Sequence, residues 1–516
     1  MFTALGLALR VSYFGASVFG DELSTLWIVR NNGLSDTIGV VASDAEITPP
    51  LYFILAWFAS KIGSAPELVR LPSLVAGTIS IPLTYLLGVR TVGRGAGLIG
   101  TLVMALSPFM IFFSANGRAY AVMICLLLCS SLAMLAATRT GHTRWWVAYA
   151  VAVCLAMYAH YTAAFVLTGQ FLWLLWAHPE ARRAALLAST AAAVGFLPWI
   201  GGFLADQSSP TVAVLEFLQA KGFDARRSGV EQMLFGQPLA APERLPGKLA
   251  ILLSAAGLIV AAIAAVTRYL RGRATKAFSH QGLKPAVLIA VLALATPLGE
   301  ALLLGLGVDL FGARNLTSAW TGTPLLIGAV LTSAGLPVAV FCSVLTISGF
   351  TIGAVKMNDH ETSASGYKAA AGFIDRNAAA GDVIVDSSHF TPVPLTQLDV
   401  HLSGSYPEYR LTLPVNEPPF LPLTAVHPAS QDLVDQAFAV ATRRGSRVIA
   451  VTPRPPVARG QESAIFAAEQ NAVIPEGWRV EDEATFPGVR TVTVTVLDQE
   501  SGLIGPKKTA RSESQE

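Results

Sequence analysis

Apolar runs alternate with short basic loops through the first two thirds of the chain, and the pattern then changes abruptly after Lys356. The runs Leu68–Val89, Ala96–Phe113, Ala119–Ala137, Trp145–Tyr158, Thr162–Trp176, Ala184–Leu204, Leu249–Val266, Ala286–Leu306, Leu316–Thr332 and Leu336–Val355 read as crossing helices. A hydrocarbon core of about 30 Å takes roughly 20 apolar residues in helical form. A further span before Asp21 brings the expected number to about eleven. Pro50–Ile62, about 13 residues long, is too short to cross and is expected to lie in the interface.

Beyond Lys356 the periodicity is that of a soluble α/β domain. Val383–Val385, Arg447–Val451 and Val492–Leu497 read as strands, Gly366–Ala380 and Ser430–Arg444 as amphipathic helices, and the Pro-rich connectors as loops. The fold class expected is therefore a polytopic α-helical membrane protein, residues 1–356, with a C-terminal extracytoplasmic α/β domain, residues 357–506, and a disordered tail, residues 507–516. Gly381 and Gly445 precede strands, so no nucleotide-binding glycine fingerprint is present.

Orientation follows from the basic loops. Arg90/Arg94, Arg139/Arg144, Arg182/Arg183 and Arg268/Arg271/Arg273/Lys276 mark cytoplasmic connections, because short positive loops are retained inside. Phe19–Glu67, Ser114–Arg118, Ala159–Tyr161, Ala205–Lys248, Gly307–Asn315 and everything after Lys356 then face outward. Four polar clusters fall on that face: Asp21-Glu22, Arg118 with Tyr120, His160-Tyr161 and Arg314-Asn315. None of them served to choose the orientation, so their coincidence is independent support for a shared outer site. Met1–Phe19 offers barely a span, carries Arg10 mid-way and lacks a basic leader; it reads as a truncated helix with Arg10 near its outer end, close to Asp21.

Composition agrees with a membrane protein: 53% of residues are hydrophobic and 14% charged, with a mean hydropathy of +0.53. A net charge of +2, spread over loops, gives no reason to expect nucleic acid. Cys125, Cys129, Cys154 and Cys342 lie inside apolar spans, where neither a disulfide framework nor a zinc site is indicated.

The outer clusters suit group transfer from a lipid phosphate to a hydroxyl. Asp21 and Glu22, with Asp44 and Glu46 in the same loop, supply candidate general bases. Arg118 and Arg314 can each fork onto a phosphate, and Tyr120, His160 and Tyr161 can donate hydrogen bonds to it. Each cluster alone also fits an interfacial anchor, and Glu216, Lys221, Asp224 and Glu231 in the 205–248 segment fit residues that simply face water.

Phe19-Gly20-Asp21-Glu22-Leu23-Ser24-Thr25-Leu26-Trp27 resembles the first outer loop of the C-type (GT-C) polytopic glycosyltransferases, in particular the family 39, protein-mannosyltransferase-like group. Thr48-Pro49-Pro50-Leu51-Tyr52-Phe53, Arg70-Leu71-Pro72-Ser73, Ser107-Pro108, Arg118-Ala119-Tyr120-Ala121 and Tyr158-Ala159-His160-Tyr161-Thr162 follow in the family's order, and the resemblance covers roughly Met1 to Ala177. It implies a GT-C-like enzyme that takes a sugar from a polyprenyl-phosphate donor and inverts the anomeric carbon on the outer face. It further implies Asp21 as base, Glu22 as the group orienting acceptor or base, and Arg118 and Tyr120 as contacts to donor phosphate or sugar. Arg314-Asn315 stands where relatives carry Arg-Tyr, so the arginine transfers and the tyrosine does not. Relatives also tend to show His-Pro-Pro in place of Thr48-Pro49-Pro50 and an acid beside the arginine where this chain has Ala115-Asn116-Gly117-Arg118. That missing acid is the ground for expecting no obligatory metal or other cofactor.

The expected partners are a polyprenyl-phosphate-linked sugar, a glycan, lipid or protein acceptor of the cell envelope, and membrane lipid; the expected location is the cell membrane. Two other classes compete. A transporter or flippase for a lipid-linked saccharide calls for ionisable groups at mid-bilayer and inverted repeats. A non-catalytic scaffold predicts that Asp21, Arg118 and Arg314 tolerate substitution.

Overall fold

The computed structural model describes residues 1–18, 20–43, 46–209, 222–271, 282–387, 395–411, 430–453, 465–466 and 472–499. Asp44, Arg273, Lys276, Glu216, Lys221 and the tail 507–516 lie outside the described residues. The chain divides into two compact units, one spanning residues 1–365 together with 391–400 and 417–425, the other made of 366–390, 401–416 and 426–516.

The first unit is helical, and most of its helices coincide with the expected apolar runs. Among the described residues six helices are long and apolar enough to cross a bilayer: Pro66–Thr91, Tyr120–Thr140, Pro179–Gln207, Glu243–Leu270, Leu283–Gly305 and Leu336–Asn358. Arg94–Leu106 and Pro108–Ser114, bent by 60°, make a seventh if taken as one span. The remaining four of the eleven expected spans are short helices instead: Phe2–Phe14, Thr143–Ala159, Ala163–Ala177 and Thr323–Ser333. At about 1.5 Å per residue, helices of 11 to 17 residues reach only ~17–26 Å, so length alone leaves these four short of a full crossing. Local breaks explain the shortening: an extended His160 separates the second from the third, and the 3₁₀ segment Asn315–Thr321 precedes the fourth. Leu51–Ser60 is a ten-residue helix, in keeping with an interfacial reading of that run.

Surface chemistry supports the membrane assignment independently. Along Lys248–Leu270, Leu249, Leu252, Ile259, Ile263 and Val266 are all more than half exposed, a contiguous apolar stripe that water would penalise. Its opposite face packs backbone to backbone on Leu336–Asn358. A Cβ at Gly257 would come within 2.7 Å of the Cys342 carbonyl oxygen, and one at Gly349 would collide with that of Ala250. Small residues at such crossings let membrane helices approach closely, since dispersion rather than hydrophobic burial drives their association.

The 60° bend has a local cause. Pro108 lacks an N–H, so the Met104 carbonyl loses its regular helical donor, and the extended backbone at Ser107 carries the Phe109 N–H away from the Ala105 carbonyl. Ser107 starts the next helix by accepting the Met110 N–H at 3.2 Å. Arg10 fills the gap: its guanidinium donates to Met104 O at 3.0 Å and Ala105 O at 3.2 Å, and it is wholly buried. Arg10 thus caps a broken helix, whereas the sequence suggested proximity to Asp21.

The boundary between units falls at Ser365, beyond the expected Lys356. The Ser363 carbonyl accepts from Tyr13 Oη at 3.0 Å and Gln237 Nε2 at 2.9 Å, which ties the residues after Asn358 back to the helices. Residues 395 and 400 also belong here, where Leu395 and Val400 pack on Val18 and Leu23.

The second unit is a five-stranded mixed sheet with strands β1 (Val383–Asp386), β2 (Glu408–Arg410), β3 (Val448–Thr452), β4 (Trp478–Phe486) and β5 (Val492–Gln499), in the order β2-β1-β3-β5-β4. β2 and β3 run parallel to β1; β5 is antiparallel to β3 and β4. Helix Ser430–Arg444 buries Val434, Ala437, Phe438 and Ala441 against Val383, Val385, Val448 and Ala450. The expected strands at 383, 447 and 492 and both helices are present. β2 and β4 were not read from sequence, because β2 is three residues long and β4 is a charged edge strand with a bulge between Val480 and Asp482.

Candidate active site

The helices carry the polar clusters at one end and the basic loops at the other. Leu71–Thr91 starts at Arg70 and ends beside Arg90, Tyr120–Thr140 starts beside Arg118 and ends with Arg139, and Thr143–Ala159 starts with Arg144 and ends at His160. The clusters therefore lie at a common end of this bundle, as the alternation of loops implied.

At that end three carboxylates meet three arginines. Glu22, in the first turn of Gly20–Asn31, is 1% exposed and takes both Arg70 Nε and Nη2 at 2.7 Å. Glu22 Oε1 also accepts the Gly117 N–H at 2.6 Å. The rest of the Arg70 fork donates to the carbonyls of Phe14, Ala16 and Ser17 at 2.7, 2.8 and 3.1 Å. This pair is a sealed joint between helix Gly20–Asn31, the start of Leu71–Thr91 and the 115–119 turn. Breaking such a buried pair from one side costs about 3–5 kcal/mol.

Glu46 grips Arg118 in a second bidentate pair, at 2.7 and 2.9 Å, with Thr48 Oγ1 adding a 3.0 Å contact to the same guanidinium. Arg118 Nη1 lies 3.5 Å from the Asp21 carbonyl. Burial alone would lower the Arg118 pKa, but the Glu46 carboxylate outweighs it and raises it above the ordinary value. The backbone around Arg118 is fixed by Ser73 Oγ donating to the Arg118 carbonyl at 2.9 Å and by Thr25 Oγ1 donating to that of Gly117 at 2.9 Å.

The third pair differs in kind. Asp21 Oδ2 lies 3.2 Å from Arg314 Nη1, through one contact only, with the two side chains 44% and 32% exposed. Burial opposes the charge on Arg314 while Asp21 and Tyr120 favour it, and the balance raises its pKa. Among these carboxylates, Asp21 alone is half-exposed.

Tyr120 and His160 form the floor beside this pair, with ring centroids 4.9 Å apart, and Phe113 lies 4.4 Å from Tyr120. His160 Nδ1 accepts the Thr162 N–H at 3.2 Å, which leaves the proton of the neutral ring on Nε2. Burial, then Arg118 and Arg314, push the His160 pKa down to about 3. The ring is thus a neutral hydrogen-bond donor at physiological pH.

Tyr161 and Asn315 are not drawn into this constellation by their hydrogen bonds. His160 has φ −162° and ψ 138°, extended backbone in which successive side chains point apart. Tyr161 Oη accordingly donates to Asp206 and accepts from Trp199 Nε1 at 3.0 Å; burial, then the Asp206 bond, raises its pKa. Asn315 Nδ2 donates to the Leu310 carbonyl at 2.6 Å and shapes the loop before Arg314. Asp44 lies outside the described residues. Arg70 carries the largest role that the sequence reading did not assign; its signal was an arginine at the head of an apolar span, which looks like an interfacial anchor. Among the described residues no group of three His, Cys, Asp or Glu side chains could hold a metal ion.

Residues 48–201 match the family described as dolichyl-phosphate-mannose-protein mannosyltransferase. The match takes in Thr48, Arg70, Arg118, Tyr120, His160 and Tyr161. In three dimensions the chain is similar to ArnT from Cupriavidus metallidurans bound to undecaprenyl phosphate, at 14% identity, a TM-score of 0.54 and 98% coverage of both chains. The apo state of the same protein gives 16% identity, a TM-score of 0.53 and again 98% of each. The archaeal oligosaccharyltransferase AglB from Archaeoglobus fulgidus aligns over 87% of this chain and 69% of its own, at 10% identity and a TM-score of 0.45. No curated protein matches the chain by sequence. The fold is that of the GT-C glycosyltransferases: a multi-pass helical membrane unit followed by a mixed-sheet domain.

Proposed function

We propose that this chain is an inverting glycosyltransferase that moves a sugar from a polyprenyl-phosphate donor to a hydroxyl of a cell-envelope glycan, lipid or protein, on the outer face of the cell membrane. The observation that carries the reading is the half-exposed Asp21–Arg314 pair beside a neutral His160 and Tyr120. The match of residues 48–201 to a dolichyl-phosphate-mannose-dependent family and the likeness to a fold solved with undecaprenyl phosphate support the donor class.

In this mechanism Asp21 accepts the proton of the acceptor hydroxyl as its oxygen attacks the anomeric carbon. The bond from that carbon to the phosphate oxygen breaks on the opposite side, so configuration inverts and polyprenyl phosphate leaves with the bonding electron pair. The leaving group goes from a phosphodiester to a phosphate monoester and gains negative charge. Arg314 is the guanidinium best placed to meet it, since among the described residues its carboxylate contact is a single, partly exposed one. The Nε2–H of His160 and the Tyr120 hydroxyl add neutral donors. Glu22 and Arg118 act by position: Glu22 with Arg70 fixes the turn that precedes Arg118, and Arg118 with Glu46 fixes the loop leading to Thr48-Pro49-Pro50.

Arg10, an ionisable group that a transporter reading would place in a relay, is instead tied to the backbone carbonyls of Met104 and Ala105. The test is transfer of radiolabelled sugar from a panel of polyprenyl-phosphate donors in membranes containing the wild-type chain or Asp21→Asn at matched levels. Label reaching glycan, lipid or protein only with intact Asp21 supports the reading and names the donor. Equal transfer by the variant removes Asp21 as base, and no transfer from any donor by well-expressed wild type overturns the assignment.

A further inference from the structure

Helices Lys248–Leu270 and Leu336–Asn358 bound a groove of about 460 Å³ at the basic end of the bundle. Val260, Ile263 and Ala264 line it from the first helix and Val338 from the second, with Arg268 and Arg271 where the first helix ends. The lining is thus divided: aliphatic toward the middle of the span, cationic at its terminus. From Val260 to Arg271 the wall runs ~16 Å along the helix axis. Val260 and Ile263 are 43% and 62% exposed, and in a crossing helix an exposed apolar wall meets lipid.

Arginines at the end of a span have an ordinary use, since they keep a short loop inside and complement the negative end of the helix dipole. That use explains why they are present but not how Arg268 is held. Its guanidinium lies against Gly335: a Cβ there would come within 2.6 Å of Nη1 and 3.0 Å of Cζ, and the residue has φ +90°. Glycine is required on both counts, and the fork is brought over the first turn of Leu336–Asn358, which no side chain caps. Arg268 Nε is buried with no hydrogen-bond partner. At the other end of the bundle Arg70, Arg118 and Arg314 each meet a carboxylate, whereas among the described residues Arg268 and Arg271 meet none. Two guanidiniums without an acid, beside the amides of a helix start, suit an anion. The aliphatic wall that continues from them suits an apolar body attached to that anion, and a free ion would leave the wall unused.

We propose that this groove binds an anionic phospholipid of the leaflet at the basic end, its phosphodiester held by Arg268 and Arg271 over the first turn of Leu336–Asn358 and one acyl chain laid along Val260, Ile263 and Ala264. Basic pockets between spans hold such headgroups because a guanidinium fork meets two phosphate oxygens at once. Contacts to both helices tie the end of one span to the start of the other, so the lipid stabilises the folded chain by mass action. The groove lies at the opposite end of the bundle from the Asp21–Arg314 pair, so its ligand is separate from the lipid phosphate of the transfer reaction.

The experiment is native mass spectrometry of the detergent-solubilised full chain titrated with phosphatidylglycerol or phosphatidylcholine, as wild type, Arg268→Gln, Arg271→Gln, Ala264→Leu and Arg139→Gln. Wild type is expected to bind its first phosphatidylglycerol about tenfold tighter than phosphatidylcholine. The Kd for phosphatidylglycerol is expected to rise about tenfold in Arg268→Gln and about fivefold in Arg271→Gln, as loss of bonds to a charged group implies. Ala264→Leu leaves both arginines and fills the groove, and is expected to weaken binding about fivefold. Arg139 is exposed at the same end but outside the groove, so Arg139→Gln is expected to stay within about twofold of wild type. Equal affinity for the two lipids overturns the headgroup site. Arg139→Gln weakening binding as much as Arg268→Gln reduces the effect to general attraction by a basic surface and overturns it too. Unchanged binding in Ala264→Leu overturns the groove as the seat of the acyl chain, and that arm stands even if an arginine variant fails to fold. Displacement of phosphatidylglycerol by equimolar undecaprenyl phosphate, lost in Arg268→Gln, overturns the phospholipid as occupant in favour of polyprenyl phosphate.

Discussion

Asp21 and Arg314, 293 residues apart in sequence, meet through a single 3.2 Å contact, while the two neighbouring acid–arginine pairs are bidentate and largely buried. An exposed single contact of this kind is worth about 0–1 kcal/mol, weak enough for a phosphate to displace. The weak pair is therefore the exchangeable one. In the proposed reaction the donor phosphate would take Arg314 in place of the Asp21 carboxylate, which frees that carboxylate for the acceptor hydroxyl.

That exchange makes an unusual prediction for Asp21→Asn. Turnover should fall by about 10²–10⁴ as general-base catalysis is lost. Affinity for undecaprenyl phosphate should rise about two- to fivefold, because Arg314 loses its competitor. Single-turnover transfer and lipid-phosphate binding on the same preparation check both. A drop in affinity alongside the drop in turnover would show that Asp21 itself contacts the donor and that the two groups do not compete.

Glu22 should behave as a structural residue. Glu22→Gln or Arg70→Gln leaves its partner's charge buried without the opposing charge, at a cost of about 3–5 kcal/mol, and should lower the unfolding temperature in detergent by several degrees. The pair Glu22→Leu with Arg70→Met should recover part of the loss, since no lone charge remains. A Glu22→Gln protein that unfolds like wild type yet transfers no sugar would return Glu22 to the reaction itself.

The sequence made the ends of the spans legible and left the pairing across them hidden. Asp21, Arg118, His160 and Arg314 stood out because each interrupts apolar surroundings at a span terminus, and loop parity alone set them on one face. Three acids and three arginines can be matched in several ways, however, and only the folded chain selects Glu22 with Arg70, Glu46 with Arg118 and Asp21 with Arg314. Arg118 looked like an open phosphate fork for this reason, though its guanidinium is engaged. His160 and Tyr161 looked like one cluster because they are adjacent, yet extended backbone at His160 turns them to different partners.

His160 gives a pH prediction with a definite sign. Its pKa is pushed down to about 3, chiefly by burial and then by Arg118 and Arg314, from an ordinary value near 6.5. The unfolded chain therefore binds a proton in this window that the folded one refuses. The stability from keeping the ring neutral is full above about pH 6.5 and is lost as pH falls toward 3. Unfolding temperature should fall over that range in wild type and fall less steeply in His160→Asn. Any titration of turnover between pH 5 and 8 should survive His160→Asn, because the folded ring stays neutral throughout; its disappearance in the variant would place a protonated imidazole in the reaction.

Arg118 and Glu46 distinguish a clamp from a brace. If Arg118 held the donor phosphate, then Glu46→Gln would free its fork and tighten undecaprenyl phosphate, as Asp21→Asn is expected to do through Arg314. The geometry argues for the opposite result, because the Arg118 fork also holds Thr48 Oγ1 and its loop is tied down by Ser73 and Thr25. Glu46→Gln should leave lipid-phosphate affinity within about twofold and reduce turnover about tenfold by loosening the loop before Thr48-Pro49-Pro50. Arg118→Lys should resemble it, since an ammonium cannot reproduce two parallel bonds to one carboxylate. The two changes combined should cost less than their sum, with a coupling of about 0.5–3 kcal/mol. The double-mutant cycle on turnover, run beside lipid-phosphate binding, separates the roles: additive losses with a shifted Kd would make Arg118 a phosphate ligand, and coupled losses at constant Kd make it the brace that holds the start of Thr48-Pro49-Pro50 in place.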